Sequence, residues 1–400
     1  IEFQIPVLTV AVRFRMGVQR GSHMVLPLFV RRITQNNITM KRFIFAVASL
    51  LVASATFAQR PGLDTFIHYE NENNKPNQQV VIPNIDGYLT LKGDFHIHTV
   101  FSDGSVWPTF RVEEARRHGL DIIAITDHIE YRPKKEYYSK KVDLNTSYEI
   151  ARENVGNAKD LIVVHGIEIT RSKPFGHMNA LFIEDGDKAD VSSELDALEA
   201  MLKQGAYILW NHPGWPDDKA TMYPIHEKLI AEGKIHGFEV WNDAESYPVT
   251  YDWLEEYGLH PFANSDIHGS IEFRYGARRP MTLVFAKEKT LESVKEAMFA
   301  GRTLAFFNNF LMGKQEFIAP LVKECLTFEL EADKGDYCIY NVVNKSDIKF
   351  QLQIGDTVHQ VTIHPRSNNA YVEIAKDQDV TFVNCILGKG KYHSVPQSEL

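Results

Sequence analysis

Titratable side chains of metal-binding type alternate along one short segment, "GDFHIHTVFSDGS" at positions 93–105. Successive side chains of a β-strand point to opposite faces, so Asp94, His96 and His98 share one face and the apolar residues between them share the other. Burying such groups without partners costs several kcal/mol. Divalent cations opposite this face would compensate them, so the segment is a candidate metal site.

Further residues of the same type end apolar runs or follow them closely. They are Asp103, His128 in "TDH", Glu168 in "GIE", His177 in "GHMN", His212 in "NHP", and Asp266 and His268 in "SDIH". Most of these motifs have a simpler explanation as a helix cap, a turn or a structural histidine. Glu168 is the exception, because a carboxylate in an apolar strand requires a cation. Their joint occurrence at strand ends favours one metal centre.

The segments that carry these residues alternate with helical patterns. After a first strand at the opening segment, strands are predicted at 121–128, 161–170, 177–184, 206–213, 235–242, 260–266, 281–286 and 302–307, and helices at 110–118, 193–203, 223–231, 250–257 and 291–299. Repeated strand–helix units favour a largely parallel barrel, in which active sites form at the C-terminal ends of the strands. The metal-type residues are expected at that end.

After about residue 320 the pattern changes to short alternating runs separated by turn residues, which is typical of an antiparallel β-sandwich. The chain is therefore divided into an N-terminal extension at 59–90, a barrel at 91–319 and a β-sandwich accessory domain at 320–400. The predicted fold class is α/β, with a small all-β C-terminal domain.

The segment "MKRFIFAVASLLVASATFAQ" has a basic start, an apolar run and small residues at its end. This order predicts a signal peptide at 40–58, cleaved between Ala58 and Gln59, and an exported, periplasmic or extracellular protein. The alternative, a buried core helix, lacks an amphipathic stripe. Residues 1–39 would then be an upstream or vector-derived segment, and "GSHM" at 21–24 resembles a cloning scar.

The charge of the remaining chain limits its partners. Residues 1–58 contain seven Lys or Arg and one acidic residue, so without them the formal net charge is −15 rather than −9. Such a chain repels polyanions, and duplex nucleic acid is not expected as a partner. No apolar run reaches the roughly 20 residues of a membrane-spanning helix, so no membrane span is expected.

The cysteines Cys325, Cys338 and Cys385 all lie in the last quarter of the chain. Their spacing fits no zinc motif. In an exported protein one pair could form a disulfide, but three buried thiols are favoured.

The motifs "DFHIHTVFSDG", "AITDH", "GIEIT", "GHMN", "WNHP" and "NSDIH", in this order, resemble the PHP (polymerase and histidinol phosphatase) superfamily over about 91–309. The resemblance implies a distorted (β/α)7 barrel with a trinuclear metal site. It assigns His96, His98 and Asp266 to one metal, Glu168 to a bridge, His177 and His212 to a second metal, and Asp103, His128 and His268 to a third. Many members have histidine at the position of Asp103. The leader and the β-domain further resemble exported phosphodiesterases of this superfamily.

The donor set also indicates a chemistry. Adjacent divalent ions bridged by Glu168 would acidify a shared water, and the metal-bridging hydroxide would attack phosphorus, with Glu168 and Asp266 as the catalytic carboxylates. Mixed histidine and carboxylate ligands suit two or three zinc, manganese or iron ions per chain. Arg171 and Lys173 are candidate substrate-binding cations, with solvated loop charges as the alternative.

Four further residues are candidates for supporting roles around the metal site. Asp127 is a candidate for orienting a neighbouring ligand or for capping a helix. Tyr131, Trp215 and Trp241 are candidate pocket walls, although core packing is favoured for Trp241.

The predicted function is metal-dependent hydrolysis of a small phosphate ester. A diester carries one negative charge and needs fewer cations than a monoester, so the acidic chain favours a phosphodiesterase. The alternatives are a phosphomonoesterase of the same fold, a barrel amidohydrolase, and a binding protein whose metals are structural.

Overall fold

The computed structural model describes residues 67–68, 79–139, 141–217, 219–273 and 279–400. The predicted upstream segment at 1–39 and signal peptide at 40–58 lie outside the described residues, as does much of the predicted extension at 59–90. Within the described ranges, no helix has the length and hydropathy needed to cross a membrane.

Strands and helices alternate through the first three quarters of the chain, and strands dominate the last. The strands are β1 (Ile67–His68), β2 (Leu89–Ile97), β3 (Ile122–Ile125), β4 (Ile162–Thr170), β5 (His177–Leu181), β6 (Tyr207–Trp210), β7 (Gly237–Asn242), β8 (Glu245–Ser246), β9 (His260–Asn264), β10 (Met281–Ala286), β11 (Thr303–Phe307), β12 (Phe310–Gly313), β13 (Leu326–Asp333), β14 (Tyr337–Asn344), β15 (Phe350–Ile354), β16 (Gln360–Ile363), β17 (Ala370–Ala375), β18 (Asp379–Gly388) and β19 (Lys391–Pro396). The α-helices are α1 (Pro108–Arg117), α2 (Thr146–Val155), α3 (Glu194–Leu202), α4 (Pro224–Ala231), α5 (Trp253–Glu256), α6 (Leu291–Phe299) and α7 (Gln315–Cys325).

The main sheet is mixed rather than parallel. β2, β3 and β4 are parallel neighbours, and so are β6, β7 and β9. β5 lies between β4 and β6 and runs antiparallel to both. Parallel neighbours need a crossover of about a dozen residues or more, and the loop at 171–176 is too short for one. The predicted α/β class is confirmed, whereas the largely parallel sheet and the distorted (β/α)7 barrel are not.

Hydrogen bonds also join the end of β2 to the loop after β9. The His98 N–H donates to the Ile267 carbonyl at 3.1 Å, and the Asp266 N–H donates to the His96 carbonyl at 2.9 Å. β2 and β9 are therefore adjacent at the end of the sheet where His96, His98 and Asp266 lie.

The C-terminal strands continue the same sheet. β10 pairs with β2, β11 with β10, and β12 with β11, all antiparallel. β12 then pairs in parallel with β18, with Leu311 opposite Cys385. β15, β16 and β19 extend that edge, while β13, β14 and β17 form a separate three-stranded sheet. The predicted all-β C-terminal domain is not confirmed as a separate unit.

Helix α7 crosses the predicted boundary at 320, and Pro320 lies inside it. No helix was predicted across this boundary, and a proline in a helix interior removes one backbone hydrogen bond. The buried side chains of α7 are Phe317, Ile318, Leu321, Val322 and Cys325. Their spacing is that of one helical face, and its burial offsets the lost hydrogen bond.

The prediction of three buried thiols is confirmed: Cys325, Cys338 and Cys385 are free and buried. Burial raises the pKa of the Cys325 thiol to about 12, so this thiol stays protonated and unreactive at neutral pH.

A buried arginine fixes the two segments that meet beside the sheet end. Arg111 donates to the carbonyls of His98, Ile267 and Gly269 at 2.9, 2.8 and 2.7 Å. It also forms an ion pair with buried Glu114 at 2.8 Å. Arg111 therefore holds the end of β2 against the loop that carries Asp266 and His268.

Arg111→Met is expected to lower the free energy of unfolding by about 3–5 kcal/mol, because it leaves Glu114 and three carbonyls buried without their partner. Guanidinium unfolding in excess chelator would measure this without a contribution from metal binding. The control is Lys376→Met, which removes an exposed partner of Asp333 and should change the free energy by less than about 1 kcal/mol. Equal effects of the two substitutions would contradict the assigned role.

Candidate metal centre

The nine residues predicted as metal ligands converge at one end of the main sheet. His96 and His98 lie on β2, Asp103 in the loop after it, His128 just after β3, Glu168 on β4, His177 at the start of β5, His212 just after β6, and Asp266 and His268 after β9. Because β5 runs antiparallel to its neighbours β4 and β6, its first residue lies at the edge where those two strands end. His177 thus reaches the centre although the predicted strand direction was wrong.

Glu168 lies in the middle of this cluster and is fully buried. Its Oε2 atom is 2.7 Å from His128 Nδ1, 3.4 Å from His98 Nε2 and 3.5 Å from His96 Nε2. Its Oε1 atom is 3.0 Å from His177 Nδ1 and 3.5 Å from His212 Nε2. The two oxygens thus face different histidines, which is the arrangement that a bridging carboxylate requires.

Two further carboxylates complete the cluster. Asp266 Oδ1 lies 3.0 Å from His98 Nε2 and 3.2 Å from His96 Nε2. Asp103 Oδ1 lies 3.1 Å from His268 Nε2 and 3.5 Å from His128 Nε2. Each of these carboxylates therefore approaches a pair of imidazoles.

The donor atoms fall into four overlapping groups, within each of which all atoms lie within 4.8 Å of one another. The groups are His98, Asp103, His128 and His268; His96, His98 and Glu168; His96, His212 and Asp266; and Glu168, His177 and His212. The group of Glu168, His177 and His212 reproduces one predicted set. His98, predicted in one set with His96 and Asp266, also joins the group of Asp103, His128 and His268.

Five donor atoms of the cluster are buried and have no hydrogen-bond partner within the described part of the chain. They are His96 Nε2, His98 Nε2, Asp103 Oδ1, Glu168 Oε2 and Asp266 Oδ1. Buried polar atoms are almost always partnered, so this convergence needs a cause. Ligands about 2.1 Å from one tetrahedral ion are about 3.4 Å apart, close to the separations found here. The residues present therefore fit divalent metal ions.

The histidines of the cluster stabilise the ionised forms of Glu168 and Asp266. Burial alone would raise the pKa of Glu168, but the charges on the His128 and His96 rings and the hydrogen bond between His177 Nδ1 and Oε1 hold it well below its usual range. Burial likewise opposes ionisation of Asp266, yet the charges on His96 and His98 lower its pKa. Both carboxylates are thus ionised at neutral pH and offer negative charge to a cation.

Two candidate ligands have a left-handed backbone, with φ of 21° at His212 and 49° at Asp266. Such a conformation costs a non-glycine residue about 1–3 kcal/mol and is often found at functional sites. The N–H of His212 donates to Glu239 Oε2 at 2.7 Å, and that of Asp266 to the His96 carbonyl at 2.9 Å. These bonds hold both residues in the strained geometry.

Glu239 on β7 is a site residue that the sequence analysis missed. This fully buried carboxylate contacts His96 Nδ1 at 2.9 Å and accepts from the side chains of Asn242 and Asn264 at 2.7 and 2.9 Å, besides the His212 N–H. A proton on Nδ1 of His96, donated to Glu239, leaves the lone pair of Nε2 directed at the cluster. The signal in the sequence was the one recognised for Glu168, a lone glutamate in an apolar run.

Asp94 shares the β2 face with the histidines but not their role. It pairs with buried Arg279 and accepts from the Ser265 hydroxyl at 2.5 Å. Asp127 accepts from the N–H and hydroxyl of Thr99 at 2.7 and 2.6 Å and from the Ser102 hydroxyl at 2.6 Å. Asp127 therefore fixes the loop that leads to Asp103.

Two cavities adjoin the cluster. The central cavity, of about 610 Å³, is lined by Asp103, His128, Tyr131, Thr170, His177, His212, Trp215, Asn242, Asp243, Glu245, Asp266 and His268. The side cavity, of about 410 Å³, is lined by Thr170, Arg171, Ser172, Lys173, Pro174, Gly176, His177, Trp210, Asn211, His212, Pro213, Trp215, Pro216, Asp217, Tyr223 and His226. Tyr131 and Trp215 are thus cavity walls, whereas Trp241 is buried and donates to the Ser246 hydroxyl at 3.0 Å.

The two predicted substrate-binding cations already have partners. Arg171 pairs with Glu130 at 2.9 Å and donates to the Val191 carbonyl at 2.8 Å. Lys173 pairs with Asp217 at 2.5 Å and donates to the Lys219 carbonyl at 2.8 Å. Both residues line the side cavity rather than the central one.

Comparison with known proteins gives one extensive match. No family model matches the chain. The chain is similar to a solved structure from Bacteroides vulgatus, described as a two-domain protein containing a predicted PHP-like metal-dependent phosphoesterase. The two share 34% sequence identity with a TM-score of 0.74, and the match covers 80% of this chain and 98% of that one.

Two curated relatives from Methanocaldococcus jannaschii are uncharacterized proteins. One is 39% identical over 85 residues, which is 21% of this chain and 36% of the relative. The other is 28% identical over 163 residues, which is 38% of this chain and 82% of the relative. The chain thus spans little more than a third of the first relative's length.

Glu239→Gln is expected to weaken zinc or manganese binding by about 10- to 100-fold, because outer carboxylates orient ligating histidines. Competition with a chromogenic chelator would measure the affinity. Glu255→Gln, which alters an exposed partner of Lys391, serves as the matched control and should bind metal like the wild type. Unchanged affinity in Glu239→Gln would contradict a role in positioning His96 and His212.

Proposed function

The chain belongs to the PHP superfamily, and from this membership we propose that it is a metal-dependent phosphoesterase that prefers phosphodiesters. The observation that carries the proposal is the convergence of five buried donor atoms, from three carboxylates and two histidines, that have no hydrogen-bond partner among the residues the structure describes. Divalent ions held there would polarise phosphoryl oxygens and acidify water.

The residues of the chain have distinct parts in the proposed mechanism. Glu168 and Asp266 would supply negative charge to the ions, and both contact the Nε2 atoms of His96 and His98. Glu239 sets which ring nitrogen of His96 faces the cluster. Asn211 donates from its amide to Glu168 Oε1 at 2.9 Å and so fixes the carboxylate plane. The chain thus pre-organises the donor atoms before substrate arrives.

The charge of the central cavity supports a diester substrate. No lysine or arginine occurs among the described residues that line it. Within that part of the chain, a dianionic monoester would meet no side-chain cation beyond the metals. A monoanionic diester carries less negative charge to be matched, and its second ester group has room in the cavity.

Export is part of the same proposal. The signal peptide predicted at 40–58 would deliver the enzyme outside the cytoplasm, where its substrates would be exported or environmental phosphodiesters.

Glu168→Ala and His212→Ala are each expected to abolish hydrolysis, with at least about a thousandfold loss of kcat, while the far-ultraviolet circular dichroism stays native. The rate of p-nitrophenol release with added manganese or zinc is the measurement. His359→Ala, at an exposed histidine of the C-terminal region, is the control and should retain activity. Wild-type turnover in either site variant would refute the assignment.

A comparison of two substrates tests the diester preference. Bis(p-nitrophenyl) phosphate is expected to have a kcat/KM at least about tenfold higher than p-nitrophenyl phosphate, because no lysine or arginine among the described residues lines the central cavity to match a second negative charge. The reverse preference would indicate a phosphomonoesterase. Absence of turnover with both esters, in protein that binds metal, would leave amide hydrolysis or binding without catalysis.

A further inference from the structure

We propose that the side cavity binds one ester arm of the substrate, and that this arm is an uncharged aromatic ring. The inference rests on the proposed function, because it concerns an ester whose phosphorus lies at the metal centre. The two cavities share Thr170, His177, His212 and Trp215 as wall residues. A diester placed over the cluster can therefore extend one arm past His177 into the side cavity.

Trp215 provides a surface for a flat ring. Its side chain is 53% exposed, although it lies beside two buried candidate ligands. The indole centroid is 5.0 Å from the His177 ring and 5.9 Å from the His212 ring. An aromatic arm stacked on this indole would cover apolar surface that is now in water and would lie next to the metal-holding rings.

The inner wall of the side cavity is aromatic and uncharged. The Trp210 ring is 3.8 Å from the His226 ring and 4.9 Å from the Trp253 ring, centroid to centroid, and both Trp210 and His226 are buried. Burial lowers the pKa of His226 to about 4, so this imidazole is neutral at neutral pH. The wall is therefore rigid and without charge.

The cations of the side cavity do not favour a second anionic group. Arg171 and Lys173 each have one carboxylate, Glu130 and Asp217 respectively, and one backbone carbonyl as partners. Each ion pair contributes no net charge to the wall. An uncharged ring leaves both pairs intact. The volume of about 410 Å³ lies within the range of small-molecule sites.

The test compares Trp215→Leu with Trp215→Phe on bis(p-nitrophenyl) phosphate, in which both arms carry a ring. Leucine keeps apolar bulk without a ring. The kcat/KM of Trp215→Leu is therefore expected to fall about tenfold, mainly through a higher KM. Phenylalanine keeps a ring and should stay within threefold of the wild type. Tyr371→Ala, at another exposed aromatic residue on β17, is the matched control. Metal content per chain is measured for each variant.

Equal activities of Trp215→Leu and Trp215→Phe, at equal metal content, would overturn the stacking role while the phosphoesterase assignment stands. The charge of the arm is tested separately with phenyl p-nitrophenyl phosphate and 4-carboxyphenyl p-nitrophenyl phosphate. The phenyl ester is expected to be the better substrate, and a tenfold preference for the carboxyphenyl ester would overturn the uncharged arm. If metal-loaded wild type hydrolyses no phosphate ester, the proposed function fails, and this assignment fails with it.

Discussion

An ionised carboxylate inside a protein must be matched by opposite charge or by hydrogen-bond donors, and the chain meets that requirement to different degrees at Asp94, Glu239 and Glu168. Asp94 is neutralised by the guanidinium of Arg279. Glu239 is surrounded by hydrogen-bond donors from the chain. Glu168 contacts only imidazoles and an amide, and one of its oxygens has no hydrogen-bond partner among the described residues. The carboxylate that the protein leaves incompletely compensated is the one where cations are expected.

The candidate metal ligands are positioned by segments that lie far apart in the chain. The end of β2 and the loop after β9 are separated by more than 150 residues, yet they exchange backbone hydrogen bonds and share the buried side chain of Arg111. The left-handed backbone at His212 and Asp266 is tolerated because these long-range bonds hold it. The rigidity of the centre thus comes from the closed end of the sheet rather than from any single loop.

The candidate ligands and several element bounds could be predicted, because they depend on residue type and order. The direction of a strand could not be predicted in the same way. All nine candidate ligands come together, and the bounds of β10 and α6 match the predicted 281–286 and 291–299. The antiparallel course of β5 was missed, because an apolar run does not encode its direction. Glu239 was not predicted because it lies inside β7 rather than at the end of the strand. Helix α2 was not predicted because it buries only Ser147, Ala151 and Val155, which form a weak apolar pattern.

The parallel pairing of β12 with β18 has a consequence for how the molecule unfolds. Since backbone hydrogen bonds cross from the strands beside the metal centre to the C-terminal strands, neither part can lose its structure without exposing an unpaired strand edge on the other. Such coupling favours a single cooperative transition over two independent ones. The C-terminal strands would then stabilise the metal centre, and the two parts would fold and unfold together.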